Sequence, residues 1–428
     1  MRVTPEAAFG RALDYLLDGA HGRTLGVAVS GGGDSMALLL LARDWAHAHD
    51  FAIRAATVDH GLRPEAKAEA TFVAGQCAKR GIPHDVLRWT GWDGSGNLMA
   101  EARAARRALL GDWAERLGLS VVMLGHTADD QAETFLMRLA RGSGVDGLAG
   151  MSADDDPLFL RPLLTVRREA LREVLRARDV PWIEDPTNDD ARFDRIKARQ
   201  MLPLLEDLGL TVDRVLATMA HMNRARISLG HAAAAFADRH VRAEAGDLIL
   251  AREALAMIGG DSPGRVLAAA IRWIGGRDYR PRYAALTEMA AALRAGEART
   301  LNGVRMLPET GGVRLTRELA AARDVVAAPE GASIVMWDRR WALRPPQRSG
   351  LMRKATPGIV PPGLTIRALG EDIALCKGWR DTGLPRASLM ATPAIYRDAA
   401  LIAAPVAGLD EGWSARIVAD FRTFLLSH

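Results

Sequence analysis

The chain has 428 residues, 56 basic and 52 acidic side chains and a formal net charge of +4, which permits a basic face for a polyanion without demanding one. Its length suits two or three domains, its apolar and charged fractions of 49% and 25% are those of a globular protein, and no apolar run approaches a bilayer span. Cys77 and Cys376 are the only cysteines, which excludes a disulfide framework, a four-cysteine zinc site and a protein-ligated iron–sulfur cluster.

Residues 4–18 read as an amphipathic helix without the basic flank, apolar stretch and cleavage site of a signal peptide, so the cytoplasm is the expected compartment. Residues 25–29 then form a short apolar run ending in Ser30-Gly31-Gly32-Gly33-Asp34-Ser35, and a helix is expected over 36–47. The alternation continues with a strand at 52–58, a helix at 65–80, a strand at 84–89, a helix at 98–117, a strand at 120–124 and a helix at 129–139. Such alternation predicts an α/β fold with a doubly wound parallel sheet and helices on both faces. Ligands bind such sheets at the strand C-termini, where every unusual loop of this sequence falls.

Residues 154–203 are rich in arginine and contain the turn-forming Asp185-Pro186-Thr187-Asn188. Helical periodicity dominates from 211 to about 293, and past Thr300 short β-type runs take over, with a Pro-rich linker at 356–363. The expected domains are 1–208, catalytic; 209–325, helical; and 326–428, small and mixed or β-rich. Arg272, Arg277, Arg280 and Arg282 around Tyr279 form a basic cluster that suits either RNA or an ordinary surface loop.

Two segments carry chemistry. A glycine-rich turn between strand and helix lets backbone N–H groups face a phosphate, and the helix N-terminus adds partial positive charge. A Walker loop places lysine where this chain has Asp34. A carboxylate there would repel phosphates unless a cation lay between, so Asp34 implies Mg²⁺ as well as being a possible helix cap. Ser30 and Ser35 add hydroxyl donors. The second segment, His126-Thr127-Ala128-Asp129-Asp130-Gln131-Ala132-Glu133, follows the strand at 120–124. At helical spacing His126 and Asp130 share a face, as do Asp130 and Glu133. A capped acidic first turn explains one acid; a histidine with three acids points to a bound cation or amine.

The glycine turn resembles the pyrophosphate loop of the N-type ATP pyrophosphatases, which cleave ATP between the α and β phosphates. Val58-Asp59-His60-Gly61-Leu62-Arg63, the Asn97 to Arg107 segment, Arg138-Leu-Ala-Arg141-Gly142-Ser143-Gly144, Arg161-Pro-Leu-Leu164, Trp182-Ile-Glu-Asp185-Pro-Thr-Asn188 and Arg195 to Arg199 follow in order. Together they are similar to the tRNA(Ile)-lysidine synthetase family through about Leu205. Two positions depart from its pattern: Ile196 stands where the family has asparagine, and Arg107 where it has an aromatic residue.

The resemblance implies ATP-dependent ligation of free L-lysine to the wobble cytidine of the CAU anticodon of tRNA(Ile), through an adenylated cytidine. The product, lysidine, changes codon specificity from AUG to AUA. It implies ATP on Ser30 to Ser35 and Val58, Asp59 and His60, and Mg²⁺ on Asp34 and Asp130. An arginine clamp would come from Arg195 or Arg199, and a proton acceptor from His126. Lysine or tRNA contacts fall to Glu133, Arg141, Gly142 and Ser143, with tRNA held by the later domains. No membrane and no obligate protein partner are expected. The alternatives are a cytidine thiolase on the same scaffold, which would need sulfur-carrying cysteines, and a non-catalytic tRNA-binding homologue, which would have an eroded loop.

Overall fold

The computed structural model of the chain describes residues 3–17, 24–61, 65–92, 98–154, 156–184, 194–276, 280–347 and 358–427. They divide into two compact units, Met1–Arg226 and Ile227–His428.

The first unit is built on a parallel five-stranded sheet. Its strands are β1 (Thr24–Ala28), β2 (Ala52–Asp59), β3 (His84–Arg88), β4 (Val122–Met123) and β5 (Phe159–Leu160), in spatial order β3-β2-β1-β4-β5. The expected strand at 120–124 shortens to two residues. After Thr24, central β1 is apolar because helices cover both its faces, which leaves no solvent side to carry polar residues. On one face lie α1 (Pro5–Leu16), α2 (Gly33–Ala48) and α7 (Arg168–Ala177); α3 (Ala66–Ala78), α4 (Leu98–Leu117), α5 (Ala128–Ala140) and α6 (Val145–Leu148) come between α2 and α7 in the chain. Met36 to Ala42 of α2 are all buried, so this stretch of the helix is apolar all round and forms the middle of the core with Phe9, Leu13, Leu25, Val27, Leu171 and Leu175. On the other face Leu110 and Trp113 of α4 pack against Ala56, Val122 and Phe159.

β1 pairs with β2 on one side and β4 on the other; Gly26 faces both Arg54 and Val122 in the two registers. The strand order therefore reverses at β1, and the crevice beyond β1 and β4 is where doubly wound sheets take ligands. The glycine turn leaves the end of β1, and Gly125-His126 leaves the end of β4. A third small core joins α5 to α8 (Asp194–Glu206) and the start of α9 (Val212–His240), through Phe135, Leu202, Val212 and Met219.

The middle of the chain is helical, as expected, with one strand hairpin inside it. The stretch from 211 to 293 is not continuously helical: after α9 comes a hairpin, β6 (Val241–Glu244) and β7 (Asp247–Ala251), before α10 (Arg252–Met257), α11 (Asp261–Gly275) and α12 (Tyr283–Arg294). Its turn, Ala245-Gly246, has φ of 47° and 90°, as a two-residue hairpin requires. The hairpin is held by a distant strand. β7 pairs antiparallel with β10 (Gly312–Arg317), placing Leu250 opposite Val313, and β8 (Arg299–Leu301) and β9 (Val304–Glu309) complete the order β6-β7-β10-β9-β8. Helix α11 supplies the core under that sheet with Val266, Leu267, Ile271 and Ile274.

The remaining chain is β-rich, as expected, with a four-stranded and a three-stranded antiparallel sheet. The expected linker at 356–363 and the turn 185–188 lie wholly or partly outside the described residues, as do Leu62, Arg63, Asn97, Arg277 and Tyr279. Of the basic cluster, Arg272 stacks over the Phe424 ring at 5.5 Å. No described helix is long and apolar enough to cross a membrane.

Gly26 gives a direct check on the close approach of α4 to β1. A Cβ there would lie 2.8 Å from Trp113 Cζ3 and 3.1 Å from the side chains of Leu119 and Val122. Gly26→Ala should destabilise the protein by about 1–3 kcal/mol, read by urea unfolding.

Candidate active site

Beyond the ends of β1 and β4 opens a cavity of about 1160 Å³. Ser30, Gly32, Gly33, Asp34, Ser35, Val58, His60, His126, Asp130, Arg195 and Arg199 all line it. Residues from the glycine turn, α2, β2, α5 and α8 that are distant in sequence thus line one cavity. Asp59 does not line the cavity; its Oδ1 accepts from the Gly61 N–H at 2.9 Å. Arg141, Gly142 and Ser143 stand outside its lining, and Arg141 pairs with Asp194 at 3.2 Å.

The turn Ser30 to Ser35 is closed by its own hydroxyls. Ser35 Oγ donates to the Gly32 carbonyl at 2.9 Å and accepts from the Ser30 N–H at 3.1 Å, with Ser30 Oγ 3.2 Å away. Gly33 starts α2 and Asp34 is its second residue, where a carboxylate is favoured by the helix dipole.

Helix α5 begins with a reciprocal cap. Thr127 Oγ1 accepts from the Asp130 N–H at 3.4 Å, and Asp130 Oδ2 accepts from the Thr127 N–H at 2.8 Å. One oxygen of Asp130 therefore fixes the helix end, and the other, Oδ1, faces arginines in the cavity. Asp129 turns away: its Oδ2 accepts from the backbone N–H of Arg168 at 2.6 Å and caps α7 instead.

The residue that joins these parts is Arg168. Its Nε donates to Asp34 Oδ2 at 3.0 Å, its Nη2 to Asp130 Oδ1 at 2.8 Å and its Nη1 to Glu133 Oε1 at 3.3 Å. Arg195 donates to Glu133 Oε2 at 2.7 Å and Asp130 Oδ1 at 2.8 Å, and Arg199 to Glu133 Oε1 at 2.8 Å. Glu133, whose side chain is 1% exposed, so has three guanidinium partners. Arg168 is absent from the residues singled out by sequence, although a signal existed. It opens α7, where the helix dipole disfavours a cation, so its charge must be answered by acids from elsewhere. Arg172 also lines the cavity, as do Arg106, Trp182 and Ile183, which belong to the segments that resemble the family but carry no assigned site role.

Burial pushes the Asp34 carboxyl up from its ordinary value, against the pull of Arg168. For Asp130 burial acts in the same sense, but Arg195, Arg168 and the Thr127 N–H outweigh it and hold the group low. Burial drives His126 down to about 4, with Arg161, Arg106 and Arg195 adding to the effect and Asp130 opposing it. The ring is therefore neutral at neutral pH, and its Nδ1 has no hydrogen-bond partner.

Among the described residues no group of three or more His, Cys, Asp or Glu is arranged to hold a metal by itself. The donor set nevertheless suits Mg²⁺, which takes one or two carboxylates and completes its shell with substrate phosphates and water. Asp34 Oδ1 is buried without a partner, at the edge of the glycine turn.

The two departures have local explanations. Arg107 keeps contact with an aromatic by stacking over the Phe159 ring at 4.7 Å and pairing with Asp156. Ile196 is 6% exposed and adds apolar surface to the cavity wall beside Arg195.

A parallel sheet whose reversal point carries a glycine turn and an acid, with no Walker lysine, defines the PP-loop class of ATP-using enzymes, and a PP-loop domain model matches residues 5–205. Among curated relatives, the tRNA(Ile)-lysidine synthase of Ruegeria pomeroyi is 44% identical over 414 residues, 95% of this chain and 94% of that one. The enzyme of the same name from Hyphomonas neptunium is 47% identical over 206 residues, 46% of this chain and 54% of its own. That of Anaplasma marginale is 32% identical over 328 residues, covering 74% and 70%. The chain belongs to the tRNA(Ile)-lysidine synthase family.

The low His126 value has a stability consequence. The unfolded histidine takes its proton near 6.5 and the folded one only near 4, so between those values the unfolded state binds more protons. Stability should fall as the pH drops from about 6.5 toward 4, and His126→Gln should flatten that part of the profile, measured by urea unfolding across the range.

Proposed function

We propose that this chain ligates free lysine to the wobble cytidine of a CAU-anticodon tRNA(Ile), consuming ATP and releasing AMP and pyrophosphate. One observation carries the reading: the glycine turn with Asp34 and the His126–Asp130 helix start meet across a single cavity, bound together by arginines. The wobble base enters unstacked, at the modest cost that a single-stranded loop allows.

In the first step the triphosphate lies on Ser30 to Ser35, with the nucleoside toward Val58 and His60. The cytosine ring oxygen attacks the α-phosphorus, the bond to the β-phosphate oxygen breaks, and pyrophosphate leaves. Arg195 and Arg199 face the cavity and stabilise the charge spreading on the equatorial oxygens. Asp34 and Asp130 would hold Mg²⁺, which when bound neutralises the phosphate oxygens.

In the second step the ε-nitrogen of lysine attacks the activated ring carbon and the bond to the AMP oxygen breaks. The amine proton passes to neutral His126. A ring held near 4, chiefly by burial, is a weak base alone, and the negative charge of a bound nucleotide opposes the arginines that add to the effect. Glu133 supplies negative charge for lysine's ammonium group, which would enter by displacing one of its three guanidinium partners. Arg141, Gly142 and Ser143 are assigned to a later substrate contact, since they stand outside the cavity. The second unit is assigned to tRNA away from the anticodon, where the isoleucine tRNA differs from the initiator. Such a reaction belongs in the cytoplasm.

The thiolase alternative has no support in the thiols, because Cys77 and Cys376 are both buried. The test mixes protein, ATP, Mg²⁺, lysine and CAU-anticodon tRNA(Ile), then follows AMP, pyrophosphate and lysine incorporation. Asp34→Ala and Asp130→Ala should each lower pyrophosphate release by about two to three orders of magnitude. Near-normal turnover in either variant, or ADP and free phosphate as products, would overturn the assignment.

A further inference from the structure

The glycine turn is held from outside as well as by its own serines. The Ile183 N–H donates to the Gly31 carbonyl at 2.9 Å, and Gly32 and Ile183 form an isolated parallel bridge. Side chains follow the backbone. A Cβ at Gly31, where φ is +90°, would lie 2.8 Å from Ile183 Cδ1 and 3.3 Å from Val73 Cγ2. A Cβ at Gly33 would lie 3.5 Å from the Trp182 indole. Trp182 also packs on the main core of the first unit, so the segment is anchored behind the turn.

From this geometry we infer that Trp182 and Ile183 form a strap that sets the phosphate-binding conformation of the turn, with Ile183 as a positioning residue for ATP. The inference rests on the reading that the triphosphate lies on that turn.

The physical reason lies in one peptide plane. The Gly31 C=O and the Gly32 N–H belong to the same trans peptide and point in opposite directions. A phosphate cradle needs its N–H groups toward the anion and its carbonyls turned away, because a carbonyl oxygen would repel phosphate. By taking the Gly31 carbonyl, the Ile183 N–H fixes the direction in which the Gly32 N–H points. The serine hydroxyls cannot do this, since Ser35 Oγ is bonded to the Gly32 carbonyl and the Ser30 N–H. Without the strap the Gly31–Gly32 peptide would be free to flip, as glycine backbones readily do. The strap also explains why position 31 is glycine: a side chain there would collide with Ile183.

The test uses full-length protein and an ATP analogue with a methylene bridge between the α and β phosphates. Ile183→Pro removes the donor N–H, whereas Ile183→Val keeps both the donor and a branched side chain. The proline variant should bind the analogue roughly tenfold more weakly. It should raise KM for ATP with a much smaller change in kcat, and keep the tRNA affinity and the Tm of the parent. The valine variant should restore ATP affinity. Should the proline variant fail to fold, Trp182→Ala should still weaken the analogue several-fold while leaving tRNA binding intact. Unchanged analogue affinity in the folded variants would overturn the strap, as would parallel losses of ATP affinity, tRNA affinity and Tm. Parent protein that bound no analogue at all would overturn the functional reading itself, and the strap with it.

Discussion

The first unit depends on one guanidinium group answering three carboxylates, two of them buried and the third, Asp34, half-buried. Arg168 spends each of its three nitrogens on a different acid: Nε on Asp34, Nη2 on Asp130 and Nη1 on Glu133. Removing charges from water is expensive, and a buried pair is tolerable only when its hydrogen-bonding positions are filled. The fork of Arg168 meets that condition and locks together the start of α2, the first turns of α5 and the start of α7. Lysine, a point charge on a flexible stem, would not span three acids in fixed directions.

Around this clamp, carboxylates that hold arginines also cap helices. Asp130 caps α5 with one oxygen and faces the cavity with the other. Asp129 is spent on capping α7, which places Arg168 at the helix start where its side chain reaches the crevice. The same contact offsets the penalty of a cation beside a helix N-terminus. Pre-set geometry of this kind lets a site stabilise developing charge without first reorganising.

The second unit has arginine clusters of its own, and there they join neighbouring strands and loops. Arg314 is joined to Glu244 at 2.7 Å, Asp247 at 3.1 Å and Glu309 at 2.5 Å. Arg317 bonds Asp338 through two nitrogens, at 2.9 and 2.7 Å. These networks tie strands and loops together. In the first unit the arginines also line a cavity of about 1160 Å³ beside the glycine turn.

The parallel α/β architecture was legible in the sequence because its signals are local. Apolar runs of strand length, helical periodicity and glycine between them each act over a few residues. The glycine turn and the His126 to Glu133 segment were legible for the same reason, since each compresses its residue types into one short stretch. Arg168 was not, because its three partners lie on other elements and no local period relates them. The β6–β7 hairpin escaped notice in a helix-rich stretch because β10, far along the chain, holds it in place. Sequence alone thus determined which loops end the strands and which side chains those loops carry. Only the tertiary structure decided that Arg168 joins them and that Ile183 orients the glycine turn, because such contacts exist only once distant segments are packed together.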